Sequence, residues 1–285
     1  MRREEETPLE ALVARIDGTP PGSTAPDTVP SGFPSLDRVL GGGFRRQDLI
    51  VLGGDVGSGK SSLALAMAVR AARVRVPTLF LSGEMSPDRV LERALALEGR
   101  AAIDDLRQGR LDAATRAAVG AAAVRLRDAP LLLRPLLDTG FEEISSSLDQ
   151  VPGRALLVVD SLQLTPSPRP AARLDERIAL VVRALKALAV ERNLAVLALA
   201  QLPRHRRERP DPRPTLDDLG ALGAIKQNAD LVLEIYREEM YRPSQGVEGA
   251  TELILAKNRN GPTGFVDLYF YPRFLRFEDM LDPAS

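Results

Sequence analysis

The chain has 285 residues, and its 38 lysine and arginine residues nearly balance its 39 aspartate and glutamate residues, for a formal net charge of -1. This balance excludes an overall electrostatic attraction to nucleic acid or to a membrane. The sequence has no cysteine and one histidine, which excludes disulfides, thiol catalysis and metal sites made of thiolates or several imidazoles. Neither a signal segment nor a long apolar run is present, so we expect a soluble, cytoplasmic protein without membrane partners.

The first 30 residues predict a short helix followed by a flexible arm. Within residues 8–17, apolar side chains recur at the spacing of an amphipathic helix, at Leu9, Leu12, Val13 and Ile16. Residues 18–30 are rich in glycine and proline, which favours a flexible connection. The helix is either a frayed terminus or a segment that packs on a neighbouring subunit. We therefore expect residues 1–30 to precede one main domain, residues 31–285.

A phosphate-binding loop is predicted by the spacing G-x-x-x-x-G-K-S over residues 54–61. It follows an apolar run at 49–52 and precedes a helical pattern at 63–69, which indicates the strand, loop and helix of an α/β fold. Glycines let backbone N–H groups approach phosphates, while Lys60 supplies a cation and Ser61 a hydroxyl for Mg²⁺. The predicted ligands of ATP and Mg²⁺ in this segment are Gly54, Gly57, Ser58, Gly59, Lys60, Ser61 and Ser62.

Two acidic residues follow predicted strands. Glu84 comes after the strand at 76–81, at the carboxyl edge where open α/β sheets place their ligands, and is a candidate catalytic base. A solvated or structural carboxylate is the alternative for Glu84. Asp160 ends the apolar strand at 155–160, and an aspartate there, beside a phosphate loop, holds Mg²⁺ through water or Ser61.

Gln201 follows a third predicted strand, at 194–199. Its amide can donate to a γ-phosphate oxygen, and a buried structural amide is the alternative. The next segment, residues 203–214, contains five arginines against two acidic residues. A solvated mobile loop and a nucleic-acid contact are both open for this segment.

The last third of the chain predicts strands at 231–235, 252–256 and 266–270. Between the last two, Lys257 and Arg259 alternate in an extended segment, so their side chains point the same way. Two adjacent cations on one face repel unless an anion such as a phosphate meets them. A basic hairpin tip without a ligand is the alternative.

Together these motifs resemble the motor domain of DnaB-type replicative helicases, which have a RecA-like ATPase fold. The resemblance spans about residues 28–279. It is carried, in the same order along the chain, by residues 31–37, the phosphate loop, and residues 81–85, 158–164, 200–202, 225–230 and 257–262.

The resemblance implies an α/β fold with a mostly parallel, twisted sheet flanked by helices and a C-terminal β-hairpin. It also implies a ring, usually a hexamer, that binds ATP and Mg²⁺ between subunits and moves 5′–3′ along single-stranded DNA. In such a ring Glu84 orients the attacking water, Asp160 holds the metal and Gln201 contacts the γ-phosphate. Lys257 and Arg259 act in trans on the nucleotide of a neighbouring subunit.

The helix at residues 8–17 resembles the linker helix of this family, which docks on an adjacent motor domain. We expect no room in these 285 residues for the family's N-terminal helical domain, and therefore do not expect primase recruitment through it. Where the family carries an Arg-Glu pair beside the DNA-facing loop, this chain has Gly220 and Ala221, so contact with DNA phosphates is weakened. Gly83 and Ser161 also replace larger residues.

Two alternatives to a helicase follow. One is a RecA-like ATPase switch or scaffold ring that acts on protein partners, which the missing Arg-Glu pair favours. The other is a monomeric small-molecule kinase, which is disfavoured because Lys257 and Arg259 have no evident role within one subunit.

Overall fold

The computed structural model describes Leu9, Val13 and residues 27–136, 140–151, 153, 156–202, 209–243 and 246–280. The helix predicted at residues 8–17 lies outside the described residues apart from Leu9 and Val13, whose side chains are exposed. Most of the predicted arm also lies outside them. In the described part of the chain, no helix is long and apolar enough to cross a membrane.

Strands and helices alternate through the first two thirds of the domain, as in other α/β folds. The helices are α1 (Pro34–Leu40), α2 (Lys60–Arg73), α3 (Pro87–Gly99), α4 (Ile103–Arg107), α5 (Ala113–Arg127), α6 (Glu142–Leu148), α7 (Leu174–Arg192) and α8 (Ala224–Asn228). The strands are β1 (Thr28–Val29), β2 (Phe44–Arg45), β3 (Leu49–Gly54), β4 (Thr78–Ser82), β5 (Leu131–Pro135), β6 (Leu156–Asp160), β7 (Ala195–Gln201), β8 (Leu231–Tyr236), β9 (Ala250–Asn258), β10 (Gly264–Tyr271) and β11 (Arg276–Asp279).

Prolines and left-handed residues set several helix boundaries. Pro34 and Pro87 lie in the first turns of α1 and α3, where a missing N–H costs no hydrogen bond. Gly41 (φ 71°) and Asn193 (φ 51°) end α1 and α7 in the left-handed region. Ser86 is the N-cap residue of α3, and its side chain makes no capping hydrogen bond.

The main sheet confirms the predicted fold class. In the described chain it has nine strands, in the order β11-β10-β9-β8-β3-β7-β6-β4-β5. Strands β5, β4, β6, β7, β3 and β8 run parallel, and β9, β10 and β11 extend the sheet in antiparallel fashion. The pair β9–β10 is the predicted C-terminal hairpin, whereas β11 has too short and charged a sequence for the apolar pattern to have predicted it.

A hydrophobic core lies on each face of this sheet because alternate strand residues point to opposite faces. In β3, Ile50 and Leu52 pack with α2 in one cluster, and Leu49 and Val51 pack with α7 in the other. All four are fully buried. The sheet is thus covered on both faces, as near-continuous apolar strands require, and its edges remain for the functional residues.

Candidate active site

The phosphate loop, residues 54–61, joins β3 to α2, and two of its glycines have no space for a side chain. A Cβ at Gly54 would lie 2.6 Å from the Ser58 Oγ. A Cβ at Gly59 would lie 2.8 Å from the ring of Phe277 on β11, and the Gly59 φ of 98° is a left-handed value that glycine favours. The backbone of the loop can therefore turn tightly onto the start of α2.

Lys60 is the first residue of α2, and its ammonium lies over the loop. Its Nζ donates to the carbonyl oxygens of Gly54 at 2.9 Å and Asp55 at 2.8 Å. The first turn of α2 contains no acidic residue. Its N–H groups and helix dipole therefore face the loop without a neutralising carboxylate, an arrangement that favours an anion.

Parallel strand pairing brings two of the predicted residues to the loop. Asp160 at the end of β6 lies opposite Ser82, and Gln201 at the end of β7 lies opposite Gly54. Asp160 is 1% exposed, and the Ser61 hydroxyl donates to its carboxylate. Its Oδ2 has no hydrogen-bond partner within the described residues.

The buried Asp160 carboxylate suits a divalent cation. Burial raises the pKa of Asp160 to about 6, and the charge of Glu84 adds to the rise, while the Ser61 hydrogen bond and the Lys60 charge oppose it. A cation against the unpartnered oxygen stabilises the charged carboxylate, and carboxylate and hydroxyl oxygens are ligands that Mg²⁺ prefers. Within the described residues no cluster of three His, Cys, Asp or Glu side chains could hold a metal alone. The other ligands of a bound Mg²⁺ would be water and phosphate oxygens.

Glu84 lies two residues beyond β4, and its exposed side chain lines the same cleft as Lys60. Arg93 on α3 lies near Glu84. Sequence reasoning missed this arginine because it belongs to no recognised motif and is one of several charged residues in its helix. Burial, and then the charge of Arg107, lowers the Arg93 pKa, whereas the charges of Asp160 and Glu84 raise it. The site thus contains a cation on α3 that faces both acidic side chains.

Gly83 departs from the family pattern for a local steric reason. Its N–H donates to the Asp160 carbonyl oxygen at 2.6 Å, and a Cβ at this position would lie 2.9 Å from the Leu164 Cβ. Leu164 therefore occupies the space that a larger residue at position 83 would need.

Arg237 is a second cation that sequence reasoning missed. It directly follows β8, which ends at the same edge of the sheet as β3. Its Nη1 donates to the Gly57 carbonyl oxygen at 3.3 Å, and its Nη2 pairs with Glu239. The guanidinium carbon lies 4.4 Å from the centroid of the Phe270 ring. Glu84, Asp160 and Gln201 were identified because they lie at or just after the end of a strand. Arg237 has the same kind of position, so this signal could have identified it too.

A cleft of about 450 Å³ lies over the phosphate loop, a size typical of small-molecule sites. Predicted residues and missed residues both line it. The predicted residues are Gly57, Gly59, Lys60, Ser61, Ser62, Glu84 and Gln201, and the residues that were not predicted are Val56, Arg93, Arg237, Phe270, Pro272 and Leu275.

Lys257 and Arg259 lie at the edge of the sheet where the parallel strands β3 and β8 begin, whereas the cleft lies at the edge where these strands end. Asn258 pairs with Leu231 at the start of β8, beside the start of β3, whereas the phosphate loop follows the end of β3. The six residues of β3 separate the two edges by roughly 20 Å at about 3.3 Å per residue. Burial, and then the charge of Arg259, lowers the Lys257 pKa. The structure therefore does not bring these two cations to the cleft of their own chain.

The turn after β9 is also fastened to Asp48. The Asn260 Nδ2 donates to the Asp48 Oδ2 at 2.7 Å. Burial, and then the charge of Asp230, raises the pKa of Asp48 to about 6, with Lys186 acting in the opposite direction. Because the folded-state pKa is above the ordinary value of 3.8, stability from this group is complete below about pH 4 and is lost as the pH rises through about 6.

We therefore expect Asp48→Asn, which keeps an oxygen acceptor for Asn260, to increase the free energy of unfolding at pH 8 by about 1–2 kcal/mol. A pKa unit corresponds to about 1.4 kcal/mol, and partial exposure reduces the effect. Denaturant unfolding at pH 8 and pH 4 measures the difference, which should vanish at pH 4. A gain of the same size at both pH values would contradict the raised pKa.

The predicted basic loop is partly neutralised within the chain. Arg209 makes two hydrogen bonds to Asp218, and Arg213 makes two to Glu252, at 2.8 Å and 2.6 Å. Residues 203–208, with the other predicted arginines, lie outside the described residues. Two of the five arginines are therefore engaged by carboxylates of the same chain rather than presented to an outside anion.

The residues that replace the family's Arg-Glu pair form a packed turn. Gly220 and Ala221 have φ values of 60° and 53°. Ala221 is 2% exposed and belongs to the core cluster that includes α7. This part of the chain thus offers a buried methyl group where the family pattern carries charged side chains.

The model of the DnaB-like helicase C terminal domain matches residues 28–279. Replicative DNA helicase DnaB from Leifsonia xyli subsp. xyli is 35% identical over 257 residues, which are 88% of this chain and 56% of that protein. The DnaB helicase from Geobacillus stearothermophilus is 33% identical over 265 residues, 90% of this chain and 58% of that protein. The chain therefore spans a little over half the length of these curated relatives.

Solved structures show the same fold. A solved ATPase domain superposes with a TM-score of 0.89 at 26% identity, covering 98% of this chain and 100% of that one. A DnaB-like replicative helicase, solved in a study of its interactions with primase, superposes with a TM-score of 0.88 at 26% identity, covering 98% of this chain and 69% of that one. With its RecA-like sheet, its phosphate loop and a family match over residues 28–279, the chain belongs to the DnaB-like helicase C-terminal domain family.

Proposed function

We propose that the chain is an ATP-driven DNA motor that works as a ring on single-stranded DNA, with six protomers by family likeness. The matched relatives are named replicative DNA helicases, and a matched solved structure of the same extent is named an ATPase domain. The proposal assigns the hydrolysis of ATP to the cleft over the phosphate loop and the movement of DNA to the ring.

The residues present suit ATP with Mg²⁺. The tight glycine turn, Lys60 and the N-terminus of α2 provide N–H groups and a cation for phosphate oxygens. The unpartnered Oδ2 of Asp160 and the hydroxyl of Ser61 would hold the metal. When bound, Mg²⁺ neutralises charge that develops on the transferred phosphoryl group.

Glu84 and Gln201 have positions that suit the hydrolytic step. Glu84 is exposed in the cleft and can accept a hydrogen bond from the attacking water, which orients it toward the γ-phosphate. Gln201 can donate its amide N–H to a γ-phosphate oxygen from the end of β7. Arg93 faces the same space and adds positive charge beside both carboxylates.

One observation carries the proposal that the site is shared. The cleft and the Lys257/Arg259 turn lie at opposite edges of one sheet, so the turn cannot reach the nucleotide of its own chain. Stacking protomers head to tail brings the turn of one against the cleft of the next, a heterologous contact that closes into a ring. Lys257 and Arg259 then stabilise the charge on the neighbour's γ-phosphate.

The test is ATP hydrolysis measured with and without single-stranded DNA, beside light scattering with and without Mg²⁺ and ATP. We expect hydrolysis to rise severalfold with single-stranded DNA and much less with blunt duplex DNA of the same length. Light scattering should give a ring-sized assembly with MgATP. A monomer that hydrolyses ATP at full rate would contradict the shared site.

A specific observation favours a second candidate, a nucleotide-gated ATPase switch or scaffold ring for protein partners. Gly220 and Ala221 form a packed turn, and Arg209 and Arg213 are held by Asp218 and Glu252, so the described part of the predicted DNA face carries little free positive charge. Nucleic-acid affinity depends on such charge. Ring formation with ATP hydrolysis that does not respond to DNA would favour this candidate.

A further inference from the structure

Asp230 lies between α8 and β8, and its buried carboxylate joins three parts of the fold. It is 2% exposed. Its Oδ2 accepts from the Leu49 N–H at 2.9 Å and from the Lys186 Nζ at 2.6 Å. Its Oδ1 accepts from the Arg259 Nη1 at 2.6 Å. One oxygen thus fixes the start of β3 and α7, and the other contacts the arginine of the hairpin turn.

Arg259 is held along one side and open along the other. Its Nη2 donates to the Gln227 carbonyl oxygen at 3.2 Å, and its backbone N–H donates to the Asp230 carbonyl oxygen at 2.8 Å. The side chain is nevertheless 51% exposed. A guanidinium has five N–H donors, and the two described side-chain bonds leave donors for an outside anion.

Lys257 is fixed by the same short helix. Its Nζ donates to the Lys226 carbonyl oxygen at 2.7 Å and to the Ala229 carbonyl oxygen at 2.6 Å. The carbonyl groups that end α8, together with Asp230, therefore hold both cations of the turn in one arrangement.

Stability alone does not account for the contact between Asp230 and Arg259. Lys186 already neutralises the buried carboxylate, and an ion pair to a half-exposed arginine adds little to folding. The contact does restrict a long side chain that otherwise samples many rotamers. A group that must meet a transition state gains rate when its geometry is fixed beforehand.

We propose that Asp230 is a positioning residue for catalysis on the adjacent protomer, holding the Arg259 guanidinium so that its open side meets the neighbour's γ-phosphate. This inference rests on the proposed function of a shared site. It adds a residue that touches neither nucleotide nor metal and acts only through Arg259.

The variant Asp230→Asn keeps the shape and an oxygen for the Leu49 N–H but loses the charge that holds Arg259. In the full-length chain we expect kcat for ATP hydrolysis to fall about 10- to 100-fold, with KM changed less than about threefold, because the nucleotide binds at the other edge of the sheet. A KM increase with unchanged kcat would contradict the inference.

Mixing experiments separate positioning from damage to the chain's own phosphate loop. Asp160→Ala protomers lack the metal ligand but have an intact turn, so they should restore turnover to Asp230→Asn protomers. Arg259→Ala protomers have an intact loop but no arginine, so they should not. If Asp230→Asn acted by disturbing β3 instead, Arg259→Ala would restore turnover and Asp160→Ala would not, which would overturn the inference.

Lys186→Met is the matched control, because it removes the other ion pair of Asp230 without touching Arg259. Its kcat should remain within about twofold of the parent value, and a loss as large as that of Asp230→Asn would refute the positioning role.

If Asp230→Asn does not fold, Asn260→Ala loosens the same turn from an exposed position, by removing the bond to Asp48. It should lower kcat and be restored only by Asp160→Ala; unchanged kcat or restoration by Arg259→Ala would count against the inference.

The mixture of Arg259→Ala with Asp160→Ala separates failure of this inference from failure of the proposed function. Restored turnover in that mixture supports the shared site whether or not Asp230 positions Arg259. If that mixture stays inactive while both variants bind ATP and assemble, the shared site itself is wrong, and the inference falls with it.

Discussion

Lys60→Ala is expected to weaken ATP binding by about 30- to 3,000-fold while leaving the fold intact. The Lys60 Nζ lies over the phosphate loop on the carbonyl oxygens of Gly54 and Asp55, a position from which it can transfer to phosphate oxygens. Removing one partner of a desolvated charge pair costs about 2–5 kcal/mol, and about 1.4 kcal/mol corresponds to a tenfold change in affinity. Titration with a fluorescent ATP analogue in the presence of Mg²⁺ measures the loss.

Lys226→Ala provides the control for that titration. Lys226 is another of the four lysines, and its half-exposed side chain pairs with Asp217 away from the cleft. The affinity of the Lys226→Ala variant for the analogue should equal that of the parent chain. Thermal unfolding should show that the Lys60→Ala and Lys226→Ala variants are both folded. Tight ATP binding by Lys60→Ala would refute the assignment of the phosphate loop.

Arg259→Ala is expected to bind ATP normally and to lose turnover by about 10³-fold or more. The side chain lies across the sheet from its own cleft, so its removal leaves the binding residues untouched. Arginines supplied in trans to a γ-phosphate contribute about 10³–10⁵ in rate. Single-turnover and steady-state hydrolysis, beside analogue binding, separate the two effects.

Arg273→Ala is a matched arginine control for this variant. Its side chain is 73% exposed and lies 4.0 Å from Asp105 on the surface, and its turnover should equal that of the parent. Mixing Arg259→Ala with Asp160→Ala should restore part of the activity, because some interfaces then combine an intact cleft with an intact turn. Rates that are simply the sum of the two inactive variants would contradict the shared site.

The sequence predicted the parts of the site that consist of a continuous segment or of residues at strand ends. The strand, glycine loop and helix around Lys60 form one continuous segment, so its composition alone indicates a phosphate site. Glu84, Asp160 and Gln201 follow apolar strands, and parallel pairing necessarily brings such strand ends to one edge of the sheet.

Parts of the site that depend on distant contacts could not be predicted. Arg93 is distinctive neither in spacing nor in charge within its helix, and only folding brings it near Asp160. Phe277 lies on the short strand β11, and its contact with Gly59 joins residues that are far apart in the chain. Asp230 was part of a recognised motif, but its contact with Arg259 appears only when β8 and β9 pair.

The DNA-facing region shows a further difference between composition and structure. Five arginines in residues 203–214 suggested a basic loop, but the charge of Arg209 and Arg213 is compensated by Asp218 and Glu252 from other segments. Local charge counts do not include such partners. The cleft supports ATP hydrolysis, whereas movement along DNA has to be tested by measuring how the protein responds to DNA.

Strand separation on a forked duplex tests the motor proposal most directly. The first substrate is a fork, with a single-stranded 5′ tail on the strand that the ring would encircle and a 3′ tail on the other strand. The second substrate lacks the 5′ tail and carries only the 3′ tail. We expect separation that requires ATP, Mg²⁺ and the 5′ tail, and that is absent with Lys60→Ala and Arg259→Ala. ATP hydrolysis by the assembled ring without separation of either substrate would contradict the proposal and favour the switch.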